Sequence, residues 1–322
     1  MKLATIVMDG RRVGVFEYAP GKLVSLSALD LGCDSVRHFI ELGDEALAAA
    51  QNYETERDED LINAGNAEWA AVIPDPTKIL CIALNNSAAD SQLTYRPDFP
   101  VYFPKLPSAL TGHLQAVDLY PHYGLVHPEP EVAVIIGKQA RNVSIDEAME
   151  HVFGYTIFND ITSVGMRKED RFVAEYPIPD GKGGFTPTTE HVVYQGRYKS
   201  ADGFAPMGPY IVHKKDVPDP MKLRVRCWLD DDVLMDDNTS AYHFSIPEVI
   251  CWISQHATLQ PGDVIPLGTA LHPDEHRRPI SYGNLNKFGD KVTIEIETLG
   301  RLESPIRRVD ALDPRTSFAS AK

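Results

Sequence analysis

A chain of 322 residues, 43% of them hydrophobic, is long enough to bury a large core as one big unit or as one unit with a smaller companion. Its formal charge of -15, from 46 acidic against 31 basic residues, disfavours nucleic acid or an anionic membrane surface as a partner. Four scattered cysteines, Cys33, Cys81, Cys227 and Cys251, with no C-x-x-C pair, fit neither a disulfide framework nor a zinc knuckle. A reducing cytoplasm is therefore the expected location. No apolar run approaches the roughly 20 residues of a membrane span, and the N-terminal apolar stretch is too short for a secretory signal.

In chain order, residues 3–8 and 12–18 read as two strands joined by an Asp9-Gly10 turn. The alanine-rich, charged segment at 41–65 predicts an exposed helix. Together these make a small N-terminal α/β unit, and the proline-rich Ile73–Thr77 segment marks its end, dividing the chain into 1–72 and 73–322. Short β-like runs follow (KILCIAL, EVAVIIG, YTIFND, KLRVRCWL, DVIPLGT, KVTIEIETL), so the main unit reads as α+β and β-rich. Two helices stand out there. One follows Ser144, with Glu147 completing a capping box and Gly154 as its stop, and the other carries Pro247 in its first turn. Residues 168–198, with Pro177, Pro179 and GKGG at 181–184, read as a long loop that orders over bound substrate.

The segment HPEPEVAVIIGK at 127–138 carries the chemistry. Strand alternation puts Glu129 and Glu131 on one face and Val132, Val134 and Ile136 on the other. Two like charges on one face read either as half of a hard-cation site or as a solvated strand end. Asp160, ending the apolar run YTIFND, tips the reading toward a cation, because an unpaired charge at that place is costly. Three carboxylate ligands from two strands suit an octahedral magnesium or manganese site.

The succession E-x-E-x-A-V-I-I-G-K, V-F-G-Y-T-x-x-N-D, Y-K-S-x-D-x-F-A-P-M-G-P at 198–209 and T-L-x-P-G-D-V-I-x-x-G-T at 258–269 resembles the fumarylacetoacetate hydrolase family, in that family's order. The resemblance covers about 78–306, and residues 1–72 look like the N-terminal domain many members carry. It implies a mixed β-sandwich roll, a homodimer, and magnesium, manganese or calcium held by Glu129, Glu131 and Asp160. It also implies pocket roles for Lys105, Lys199, Gly268 and Thr269, with Lys199 donating to a developing oxyanion. The implied substrate is a small 2-oxo acid or 1,3-diketone, and the implied activity a cation-dependent hydrolase or lyase of C–C bonds in catabolism. Dehydration or isomerisation of a 2-oxo acid is the sister activity, and a pocket-bearing binding protein without turnover is the reading from another class.

Two blocks depart from the family. Where a His and a Glu activate water after the KILCIAL strand, this chain has Ala89 and Gln92. The N-D-x-S-x-R-D run becomes N-D-I-T-S-V-G-M-R, with Val164 and Gly165 replacing an arginine and an aspartate, which leaves Arg167 as the arginine counted with the substrate-binding residues. Asp90 and His113 are the substitute bases, an imidazole being suited to proton transfer near neutral pH. His272 and His276 read as loop residues, because Pro273 and Pro279 argue against a helix that would align them.

Overall fold

A computed structural model of the chain describes residues 1–269, 273–311 and 313–316. Strands β1 (Lys2–Met8) and β2 (Arg11–Ala19) form the expected hairpin, with Asp9 and Gly10 both at positive φ (50° and 73°), the conformation that matches strand twist. Strand β3 (Lys22–Ser25) follows β2. The helix expected over 41–65 is instead two short ones, α1 (Val36–Leu42) and α2 (Asp44–Gln51), broken at Gly43 with φ 62°. Beyond Gln51 the acidic run offers no apolar stripe to pack, and the chain turns.

The remaining elements in order are β4 (Ile79–Ala83), β5 (Val101–Lys105), β6 (Val117–Leu119), β7 (Pro130–Ile136), α3 (Ile145–Ala148), β8 (Val152–Asn159), α4 (Val164–Glu169), β9 (Arg171–Pro179) and β10 (Phe185–Val193). They continue with α5 (Arg197–Ser200), β11 (Ala205–His213), β12 (Arg224–Leu229), β13 (Asp232–Asn238), α6 (Ile246–His256), β14 (Val264–Pro266), β15 (Lys291–Ile296) and β16 (Gly300–Arg308).

One 12-stranded sheet runs in the order β3-β2-β1-β11-β8-β7-β14-β4-β5, completed by two-residue strands. Strands from both sides of residue 72 share it, because β1 pairs antiparallel with β11. A second sheet of 5 strands, β13-β12-β15-β16-β6, packs on it through contacts of β7 with β12 and of β8 with β15. Every residue of β7 and β8 is buried between the layers. The fold is α+β and strand-rich, in two packed, unclosed sheets.

Three local readings change. The Ser144–Glu147 capping box is present, but the helix ends at Ala148 and passes through a 3-10 turn into β8. Gly154 is therefore no helix stop. A Cβ there would lie 2.3 Å from the Val212 carbonyl oxygen of β11, so glycine allows the two strands to approach. Residues 171–193 are a solvent-exposed hairpin instead of a structureless loop. Its turn is closed by the Asp180 carboxylate, which accepts from the N–H groups of Lys182 (2.7 Å) and Gly184 (2.9 Å). Of the two prolines, Pro177 sits across from Pro187 and Pro179 across from Phe185, and a pair of facing prolines needs no N–H from either.

Candidate metal centre

Glu131 lies on β7 opposite Phe158 of β8, and the Asp160 N–H donates to the Glu129 carbonyl oxygen at 2.9 Å. This register brings Glu129, Glu131 and Asp160 to one place: each offers a carboxylate oxygen, all within 4.8 Å of one another, and all three residues are buried. Oxygens on opposite sides of a magnesium or calcium ion lie roughly 4–5 Å apart. Three carboxylates in that span are the donor set of a hard divalent cation, and the three residues fit one.

Two lysines answer the charge. Lys199 in α5 reaches Glu129 at 3.0 Å and Asp160 at 2.5 Å, and its ammonium stands 4.9 Å from the centre of the Phe103 ring. Lys105, at the end of β5, forms an ion pair with Asp160 and donates to the Ile161 carbonyl oxygen at 3.1 Å. Burial by itself raises the Asp160 carboxyl, but Lys105 and Lys199 overcome it and hold that carboxyl below its usual range. Burial likewise opposes the Lys199 charge, and the facing Asp160 and Glu129 outweigh it, so this amine keeps its proton far above the ordinary lysine range. Glu131 has no lysine of its own. Burial first, then the charges of Asp160 and Glu129, push its carboxyl well above the usual range, against a 2.8 Å hydrogen bond from the Gly268 N–H. Gly268 takes φ 95°, and a Cβ there would meet the Ile82 carbonyl oxygen at 2.9 Å, so only glycine delivers that N–H without strain.

Several neighbours were not singled out in the sequence. The Thr162 hydroxyl donates to Glu129 at 2.6 Å, and the Glu129 N–H donates to the Asn159 side-chain oxygen at 3.0 Å. Asn159 is fully buried, yet among the described residues its Nδ2 has no hydrogen-bond partner, which leaves an unsatisfied donor on a residue whose side-chain oxygen bonds the Glu129 N–H. His127 Nε2 stands 3.6 Å from Glu129, and burial pushes this imidazole below its usual pKa. Burial also raises the Cys81 thiol. His127 and Thr162 flank the quoted blocks and were within reach of a sequence reading. Cys81 lies 46 residues before His127 and 81 before Thr162.

Other sequence candidates lie elsewhere. His113 stacks edge-on against Trp69 and accepts the Glu303 N–H at 3.0 Å, because its turn is gathered against β16. Both contacts are with residues outside the three acids. Arg167 is exposed on α4. Asp90 pairs with His243 at 2.8 Å and touches none of the three acids. The Thr269 hydroxyl points to the Met235 sulfur at 3.8 Å. Of the two histidines set aside, His276 is a surface residue and His272 lies outside the described residues, as does the side chain of Gln92.

Gly165, where the family resemblance leads one to expect an aspartate, has a structural reason. A Cβ at this position would stand 2.3 Å from the Tyr123 carbonyl oxygen and 2.8 Å from Gly124 Cα. We expect Gly165→Asp to destabilise the protein by about 1–3 kcal/mol through overpacking, read as a lower urea midpoint at unchanged slope. An unchanged midpoint would mean that the 121–124 turn moves freely.

Residues 78–307 match the family described as Fumarylacetoacetate (FAA) hydrolase C-terminal. Among relatives, the mitochondrial oxaloacetate tautomerase of Xenopus laevis is 30% identical over 298 residues, covering 92% of this chain and 86% of that protein. The oxaloacetate tautomerase of Bacillus subtilis (strain 168) is 29% identical over 320 residues, covering 94% and 95%. The crystal structure of maleylpyruvate hydrolase from Sphingobium sp. SYK-6, in complex with manganese (II) ion and pyruvate, superposes with a TM-score of 0.70 at 24% identity, covering 96% of this chain and 99% of that one. With four sequence blocks in order, the two-sheet fold and a match over 78–307, this chain belongs to the fumarylacetoacetate hydrolase family.

Proposed function

We propose that this protein is a divalent-cation-dependent enzyme acting on a small 2-oxo acid, and that its reaction is keto–enol tautomerisation of a 2-oxo dicarboxylate of the oxaloacetate type. The observation that carries this reading is the buried Glu129–Glu131–Asp160 cluster with Lys199 set against it. Glu129, Glu131 and Asp160 would hold a divalent cation, which would supply Lewis acidity toward the carbonyl of a 2-oxo acid. Lys199, whose proton is firmly held, contributes a fixed positive charge and a hydrogen bond to the oxygen on which negative charge develops. Lys105 fixes Asp160, and the Gly268 N–H fixes Glu131, so the carboxylates are positioned before any ligand arrives. Tautomerisation requires only that a proton leave carbon and another reach oxygen. The long matches to oxaloacetate tautomerases, and Ala89 where the family's water-activating histidine stands, both favour it over hydrolysis.

The second reading is C–C hydrolysis or decarboxylation of an acylpyruvate or oxaloacetate, supported by the likeness in fold to a maleylpyruvate hydrolase. Metal-stripped protein is assayed with enol-oxaloacetate, keto-oxaloacetate and an acylpyruvate, each with and without Mg2+ or Mn2+. The expected result is cation-stimulated loss of the enol absorbance without release of CO2 or pyruvate. Release of pyruvate from the acylpyruvate, or of CO2 from oxaloacetate, at a higher rate replaces it with the second reading. Cation binding without turnover of any of the three leaves a binding protein.

A further inference from the structure

The proton-transfer group that tautomerisation needs is absent from its familiar place, since residue 89 is alanine. The structure puts an imidazole nearby from a distant part of the chain. His243, in the turn before α6, has its Nε2 2.8 Å from an Asp90 carboxylate oxygen, across 153 residues of sequence. Its side chain is 15% exposed, while that of Asp90 is 48% exposed. The pair is thus open to solvent on the carboxylate side and packed on the imidazole side.

Asn85 ties this pair to the carboxylate cluster. Its carbonyl oxygen accepts from the His243 N–H at 3.2 Å, and its side-chain oxygen accepts from the Phe244 N–H at 2.8 Å. Its Nδ2 donates to the Leu267 carbonyl oxygen at 2.9 Å, one residue before Gly268, whose N–H holds Glu131. A Cβ on Gly268 would lie 3.2 Å from that of Asn85, so the two residues are in direct contact. Asn86 and Tyr242 add a backbone bridge. The turn bearing His243 is therefore clamped to the segment that fixes Glu131. His243 touches none of the three acids itself.

The pairing also sets the imidazole's chemistry. A carboxylate accepting at Nε2 places the neutral ring's proton there and leaves the Nδ1 lone pair free, and Nδ1 has no hydrogen-bond partner among the described residues. We propose that His243, oriented by Asp90, is the base that moves the substrate's C3 proton, taking over from the missing histidine at position 89. In the keto-to-enol direction Nδ1 accepts the C3 proton, the C–H electron pair becomes the C2–C3 double bond as the C2=O π pair moves onto oxygen, that oxygen takes a proton from solvent, and the imidazolium gives its proton back to solvent. The reverse reaction returns the proton to C3 from the imidazolium, so atoms and charge balance with no other reactant. His243 is the catalytic residue in this scheme and Asp90 a positioning residue.

This inference rests on the tautomerase reading, and the test separates the two. Parent, His243→Ala and Asp90→Asn proteins, each loaded with Mg2+, are assayed for enol-oxaloacetate turnover with and without added imidazole. The His243 ring signals of the parent are followed by NMR on addition of oxalate, a chelating analogue that does not react. The expected result is a fall in kcat of about 100- to 10,000-fold in His243→Ala, with KM and cation affinity within about threefold of the parent, partial recovery with imidazole, and a smaller loss in Asp90→Asn. Oxalate shifts the His243 signals. A His243→Ala protein within threefold of the parent, a loss that imidazole does not restore, or His243 signals unmoved by oxalate overturns the assignment and leaves the pair as a clip between two turns. A parent with no cation-stimulated turnover overturns the tautomerase reading and the role of His243 with it.

Discussion

Stripped of metal, the Glu131→Gln protein is expected to be more stable than its parent by about 1 kcal/mol at neutral pH, and to lose the stabilisation that a divalent cation gives the parent. Glutamine keeps an oxygen for the Gly268 N–H and has no ionisation for burial, Asp160 and Glu129 to oppose. The pH dependence has a defined sign. Because the folded Glu131 carboxyl titrates well above its ordinary value of 4.5, the native state holds a proton that the unfolded chain has given up. Its contribution to stability therefore declines as pH rises above about 4.5 and levels off only beyond the folded pKa, and the Gln protein lacks that decline. Urea unfolding in EDTA from pH 5 to 8 measures the first effect. Calorimetric titration with Mg2+ or Mn2+ measures the second, where we expect at least a 100-fold loss of affinity. Unchanged cation affinity would remove Glu131 from the ligand set, and a less stable metal-free variant would show that the carboxylate is anchored by interactions that outweigh its repulsion.

Asp160→Asn should do the opposite to stability. Asp160 is the shared partner of Lys105 and Lys199, and removing its charge leaves, among the described residues, Lys105 with no carboxylate partner and Lys199 with Glu129 as its one carboxylate partner. Breaking a buried pair from one side costs about 3–5 kcal/mol, because the remaining charge is desolvated without compensation. The metal-free variant is expected to unfold at a much lower urea concentration. Since Asp160 titrates below its ordinary 3.8, its contribution is present above that pH and is lost as pH falls through the folded value, so the parent and Asn curves converge in acid. A loss under about 1 kcal/mol would mean that the lysines are neutralised by other groups. Opposite effects at two neighbouring carboxylates would fit the proposed cation site: Asp160 is balanced by Lys105 and Lys199, and Glu131 would be balanced by the proposed cation.

The sequence went far because the three proposed ligands lie in or directly beside two paired strands: Glu131 in β7, Glu129 just before it, and Asp160 just after β8. The period of 2 placed Glu129 and Glu131 on one face, the apolar run ending at Asp160 marked a buried charge, and antiparallel pairing of β7 with β8 does the rest locally. The Asp9-Gly10 hairpin and the Ser144 capping box were legible for the same reason, since each is decided within a few residues. The failures were likewise local. GKGG and two prolines looked like loop punctuation, although cross-strand pairing of alternating apolar and threonine residues made them part of a hairpin.

The three acids, the strand-rich fold class and the alanine at position 89 could be read along the chain, and family likeness added Lys105 and Lys199 as pocket residues. Tertiary structure alone decided which lysine neutralises which acid, that His113 belongs to a packing contact with Trp69, and that His243 meets Asp90. Periodicity and turn chemistry act over a few residues and can be read along the chain. Ion pairs and catalytic dyads form between residues brought together by sheet order and register, and a separation of 153 residues leaves no trace in either one's neighbours.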